Sequence, residues 1–174
     1  MSGSTRSQIR DALRLAIKGN TTAGDAVFGP SAWPDRPERL PVVIVQSPPH
    51  ERAQAIVKGQ PSYETRAIVP VIARVAAKSV GDVDAALETL IGQIKAAVFQ
   101  WLPFQQLIEQ VASIETRTAI TAESDWHIGE AVMLFECEFP EFYYPAPGVP
   151  LAEIQGTLSD QTTGTTVDTF DVQL

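Results

Sequence analysis

With 174 residues, 44% of them hydrophobic and 20% charged, the chain can bury one sizeable core, which excludes wholesale disorder. The formal charge of −8 is unevenly spread: Arg117 is the last basic residue, and Glu123, Asp125, Glu130, Glu136, Glu138, Glu141, Glu153, Asp160, Asp168 and Asp171 follow it, leaving no obvious basic groove for nucleic-acid phosphates. A lone Cys137 excludes an intramolecular disulfide, no apolar run reaches membrane-span length, and Met1 to Arg10 lacks a signal-peptide core, so the expectation is a protein made and used without secretion.

Ser7 to Lys18 reads as a first helix, with Ile9, Leu13, Ala16 and Ile17 on one side, a cap from Ser4, Thr5 or Ser7, and a stop at Gly19-Asn20. Thr21 to Pro49 is rich in Pro and Gly, which predicts irregular chain anchored by Phe28 and Trp33. Within it Pro41 to Gln46 has the composition of a strand buried on both faces. Ser47 to Pro61 is polar and flanked by prolines; a connection this long is either an extended hairpin arm or a segment that orders against a partner. Tyr63 to Ala77 alternates, placing Ala67, Val69, Val71, Ala73 and Val75 on one face and Glu64, Arg66 and Arg74 on the other. Pro70 removes a ladder donor, which predicts an edge position or a bulge there.

Val80 to Trp101 is the central helix. Val83, Leu87, Leu90, Ile91, Ile94 and Val98 recur at steps of three and four, Asp82 is placed to cap the start, and Pro103 limits the end. A short helical turn is expected over Phe104 to Ile108. Val111 to Ile120 is β-like, with Ile114, Thr116, Thr118 and Ile120 on one side; Glu123-Ser124-Asp125 makes a turn. Trp126 to Phe139 is the longest strand candidate, its Ala131, Met133, Phe135, Cys137 and Phe139 facing one way and Glu136 and Glu138 the other, toward solvent or an interface. The order α-β-β-α-β-β predicts an α+β fold: a mainly antiparallel sheet of about four strands with two helices on one face. Residues 1–144 form that domain. Residues 145–174, led by Pro145, Pro147 and Pro150 and rich in Thr, Gly and Asp, are expected as an extended tail with sticky points at Leu158, Val167, Phe170 and Val172.

Chemistry is hard to find along the chain. His127 and Glu130 fall on opposite faces of a strand, so they do not form a ligand pair, and a metal site needs three or four converging ligands. Cys137 sits on an apolar strand face, as an inert buried thiol does. No phosphate loop, dinucleotide glycine pattern or serine elbow occurs. The expectation is no catalytic residue, no metal and no cofactor.

Four segments carry a likeness: the helix SQIRDALRLAI, the Pro-rich approach to LPVVIVQ, the strand and helix YETRAIVPVIARVAAKSVGDVDAALETLIGQI, and the late pair ASIETRTAI and WHIGEAVMLFECEF. With the acidic turn before the last strand and the Phe142-Tyr143-Tyr144 exit, residues 5–144 resemble the tail terminator (minor tail) proteins of long-tailed bacteriophages. The 47–61 segment and the chain after Pro145 depart from compact members of that family. The resemblance implies a homo-oligomeric ring, commonly a hexamer, that caps the tail tube, ends its polymerisation and offers a docking surface to head-completion or connector proteins. It implies a place in the tail–neck region of the virion after assembly in the host cytoplasm, and no reaction; in that place the genome passes through the ring, and with ten acids and no Lys or Arg after Arg117 it is expected to pass without specific binding. His50, Arg52, Ile56, Lys58, Glu136, Glu138 and Phe170 are then the candidate interface residues. The competing readings are another neck or head–tail connector protein, or a small metabolite-binding α+β domain with a deep polar pocket.

Overall fold

The computed structural model describes residues 5–30, 39–56, 62–123 and 125–143, together with the backbone of 153–159 and 166–173. The fold is α+β. In chain order the elements are α1 (Arg6–Ile17), β1 (Val27–Phe28), β2 (Val42–Val45), β3 (His50–Ala55), β4 (Ser62–Ala77), α2 (Val80–Gln100), α3 (Leu102–Gln105), β5 (Gln110–Glu123), β6 (Trp126–Phe142), β7 (Glu153–Ser159) and β8 (Thr166–Gln173). The chain divides into two compact units, 1–143 and 144–174.

In the first unit the strands form a six-stranded sheet in the order β1-β2-β4-β6-β5, with β3 also pairing with β4. All pairings are antiparallel except β1 with β2. The expected four strands become six because β1 is only two residues long and β3 is exposed along its whole length and has no apolar side chain larger than alanine, so neither carries a strong apolar alternation. β3 resolves the 47–61 segment as a hairpin arm, at least over its described residues. Trp33 and Ser124 lie outside the described residues.

β4 and β6 form the spine. Ala67, Val69, Val71, Ala73 and Val75 of β4 and Ala131, Met133, Phe135, Cys137 and Phe139 of β6 are all buried, on the face that carries the helices. The six stripe residues of α2 meet them there, joined by Ile9, Leu13, Ala16 and Ile17 of α1 and by Phe104 of α3. Each large side chain so covered contributes roughly 1.5–3 kcal/mol. A smaller apolar cluster, Val42, Ile44 and Ile72 with Ala26, Phe28, Leu40 and Val132, covers part of the opposite face.

Pro70 is not on an edge: β4 has partners on both sides. Its carbonyl accepts the Gln46 N–H at 2.9 Å, so its donor-less nitrogen faces the β2–β3 side. There the facing chain is irregular. Val45 pairs with Val71 and His50 with Ile68, so residues 46–49 lie opposite only Val69 and Pro70. The missing donor coincides with the break between two partners, the bulge-like alternative of the sequence reading.

Helix ends follow local chemistry. Thr5 and Gln8 form a capping box at the start of α1, and Gly19, at φ +76°, follows its end in the left-handed region. α2 is capped by Ser79, whose Oγ accepts the Asp82 N–H, and not by Asp82 as the sequence suggested. The Asp82 carboxylate instead accepts the Ser79 hydroxyl at 2.7 Å. Glu123, the last residue of β5, pairs with Trp126, the first of β6.

The second unit corrects the expected extended tail. β7 and β8 form an antiparallel hairpin in which Ile154 is opposite Val172 and Gly156 opposite Phe170. Local pairing of two short strands supplies the backbone hydrogen bonds that a composition-based reading could not count.

Candidate functional site

The side of the sheet turned away from the helices is built by even-numbered residues of β3, β4 and β6 and the residues of β5 beside them. Register sets them in rows. One row is Arg52, Arg66, Glu138 and Gln110; the next is His50, Ile68, Glu136 and Ser113; further along, Arg74 faces Glu130. Four of the candidate residues, His50, Arg52, Glu136 and Glu138, therefore share one face.

They do not share one role. His50 and Arg52 are exposed on β3, whereas Glu138 is only 2% exposed. That corrects the solvated or interface-facing position expected for it. Glu138 is enclosed because its neighbours on both flanks reach over it: the Arg66 guanidinium pairs with it at 2.6 Å, and the Gln110 side-chain amide donates to its other oxygen. Glu136 remains partly open and accepts the Ser113 hydroxyl at 2.8 Å. Ile56, just past β3, is 54% exposed. Lys58 lies outside the described residues, as does the side chain of Phe170.

Two parallel ion pairs thus fasten β4 to β6, Arg66–Glu138 and Arg74–Glu130, the latter at 3.0 Å. Their residues were visible as polar positions in each strand, but only register shows that they meet. Removing Arg66 leaves a covered carboxylate with one neutral donor. Because Arg66 itself is half exposed and Gln110 still donates, the cost of Arg66→Ala is expected at about 2–3 kcal/mol, below that of a fully buried pair. Chemical denaturation of the variant checks this; a midpoint within error of wild type would show the pair to be dispensable.

On the helix-bearing face, near the free end of β6, Glu51, Ala53, Tyr63, Glu141 and Tyr143 line a shallow hollow of about 400 Å³. Tyr63 and Tyr143 meet edge to face at 5.9 Å, and Thr65 donates to Glu141 at 2.9 Å. The Glu141 charge raises the Tyr143 phenol above its ordinary value, so this tyrosine is further from ionising at neutral pH. The remaining reactive types are equally quiet. Burial, then the Glu136 charge, push the Cys137 thiol up to about 12, which keeps it a protonated hydrophobe. Lys78 lies 3.9 Å above the Trp126 ring. Among the described residues, no group of three His, Cys, Asp or Glu side chains could hold a metal.

The clearest unsatisfied surface is backbone. β5 is an edge strand of 14 residues, and none of them is buried. α2 packs over β4 and β6, so Ile120 stays 37% exposed although it points to the helix side. At the other margin of the sheet β3 is exposed along its length.

No family model matches the chain, and no curated protein matches it. Among solved structures, a chain described as "Virion of native gene transfer agent (GTA) particle" is similar over 78% of this chain and 95% of that one, at 10% identity and a TM-score of 0.38. A likeness this loose does not fix a function.

Proposed function

We propose that this chain is a non-catalytic structural virion protein that caps a tail tube as a ring, ends tube polymerisation and presents a docking surface to head-completion proteins. The observation that carries the reading is the incompleteness of the sheet: β5 buries none of its 14 residues and stands at an edge. An exposed strand of that length is a template for another chain. The carboxylates of Glu130, Glu136 and Glu138 are taken up in ion pairs and hydrogen bonds within the sheet. The resemblance adds the kind of assembly. Its four segments fall in order on α1, β2, β4 with α2, and the β5–β6 hairpin.

In this role the protein sits in the tail–neck region, with tail tube protein and a connector as partners, and the genome passes through without being gripped. Size-exclusion chromatography with light scattering tests it. The expected result is a sharp ring mass, alone or on addition of tube protein. A chain that stays monomeric in both conditions overturns the reading.

A further inference from the structure

Resting on the ring reading, we infer that the free edge of β5 in one copy pairs antiparallel with the free edge of β3 in the next, so that the sheets of successive subunits run on head to tail. The backbone fixes which groups are available. The Pro70 carbonyl, bonded to Gln46 on the β2 side, shows that even-numbered residues of β4 turn their backbone groups away from β6. Carried through the register, Ser113, Glu115, Arg117, Ala119 and Thr121 point theirs at β6. Ile114, Thr116, Thr118, Ile120 and Ala122 point theirs out of the sheet, where among the described residues no strand pairs with them. On β3 the outward groups belong to Glu51, Ala53 and Ala55.

Three features select a second copy as the occupant. The first is strand sense: β3 runs antiparallel to β4, β4 to β6 and β6 to β5, so a copy placed beside β5 in the same orientation presents its β3 antiparallel. The second is charge. On the helix-free face the β3 margin carries His50 and Arg52, while the β5 margin carries Glu115, exposed and paired with its neighbour Arg117 at 2.7 Å, with Glu123 further along and Glu136 behind, so carboxylates outnumber the one guanidinium there. Arg52 is exposed and lies directly opposite Arg66, a like charge, so a carboxylate from the next copy relieves that pairing. The third is the absence of blunting. Between Gln110 and Glu123 there is no proline and no lysine, and the single bulge lies near the start, at Val111/Ser113. A contact between two different edges of one chain is heterologous, the kind that generates a ring where the rotation between copies closes and a filament where it does not.

Thr118→Pro and Ala53→Pro each delete one outward N–H and leave the ladder to β6 or β4 intact. Under conditions in which the wild type forms rings, each variant alone is expected to be monomeric with a wild-type melt. Mixed in equal amounts they are expected to form a dimer and nothing larger, because one supplies an intact β3 edge and the other an intact β5 edge. Rings persisting in either variant alone overturn the edge pairing and leave the ring reading standing. Dimers formed by Ala53→Pro alone overturn the head-to-tail arrangement in favour of β5 meeting β5. A wild type that never forms rings, alone or with tube protein, overturns the ring reading and this inference with it. Amide hydrogen exchange on the wild type needs no variant: protection of three successive members of the set Ile114, Thr116, Thr118, Ile120 and Ala122, as many as Glu51, Ala53 and Ala55 can meet and always including Thr118, is expected to rise by at least about tenfold on assembly. Unchanged exchange at these amides in the assembled protein overturns the inference even where a proline variant melts early.

Discussion

Gly129→Leu is expected to remove more than about 3 kcal/mol of stability, a large share of what a domain of this kind possesses. Gly129 lies on the helix-bearing side of β6, and α2 rests directly on it. A Cβ built there would come within 2.6 Å of Val83 Cγ1, 3.2 Å of Val75 Cγ2 and 3.4 Å of Leu87 Cδ2. Val83 is β-branched and near the start of α2, so its methyl cannot swing aside without a change of rotamer or a shift of the helix. Even Gly129→Ala is expected to cost about 1–3 kcal/mol, although alanine ordinarily suits a strand better than glycine. The cause can be isolated. Val83→Ala opens space at the point of contact, so the double variant should lose less than the two single losses added together, with a coupling of about 1 kcal/mol or more. Urea denaturation of the four proteins gives that number. Strict additivity would mean that the glycine is required for some reason other than the approach of α2.

Truncating Leu90 to alanine is expected to cost about 2–5 kcal/mol, as buried leucine truncations do. Leu90 is fully buried in the middle of the α2 stripe, within the cluster formed by β4, β6 and α1. The loss combines the transfer energy of the deleted atoms with the cavity they leave, and helices held from several sides collapse poorly into such a void. For a chain of this size the melting temperature should fall by at least about 5 °C. A melt indistinguishable from wild type would show that the α2 face is not the core. The two variants probe one contact surface from opposite directions, one by overfilling it and one by emptying it.

The helices and the two spine strands could be read from the chain because their signal is local. The α2 stripe repeats at the helical period and the β4 and β6 alternations at the strand period, and both periods are set by backbone geometry. All six stripe residues and all ten inward residues of the two strands named from sequence are buried. Polar short elements lack that signal. HERAQA in β3 has no apolar side chain larger than alanine, and the β7–β8 hairpin follows a proline-rich stretch whose composition suggested extended chain. The candidate site was legible in the same uneven way. His50 and Arg52 could be placed in the polar 47–61 segment as candidate interface residues, and Glu136 and Glu138 as neighbours on one face of a strand, but nothing local separates the open carboxylate from the enclosed one.

The amino-acid sequence by itself determined the core stripes of α2, β4 and β6, where α1 and α2 run, and that the chain after Arg117 is acidic and free of Lys and Arg, since each depends on residue type and spacing along a few turns or pleats. Tertiary structure decided the rest, because strand pairing brings together residues far apart in the chain. Only the β4–β6 register lays Arg66 on Glu138 and Arg74 on Glu130. Only the packing of α2 makes Gly129 a position where a side chain cannot stand. Only the strand order leaves β5 at the margin of the sheet, with no strand among the described residues pairing its outward backbone groups, and a free edge belongs to no residue type.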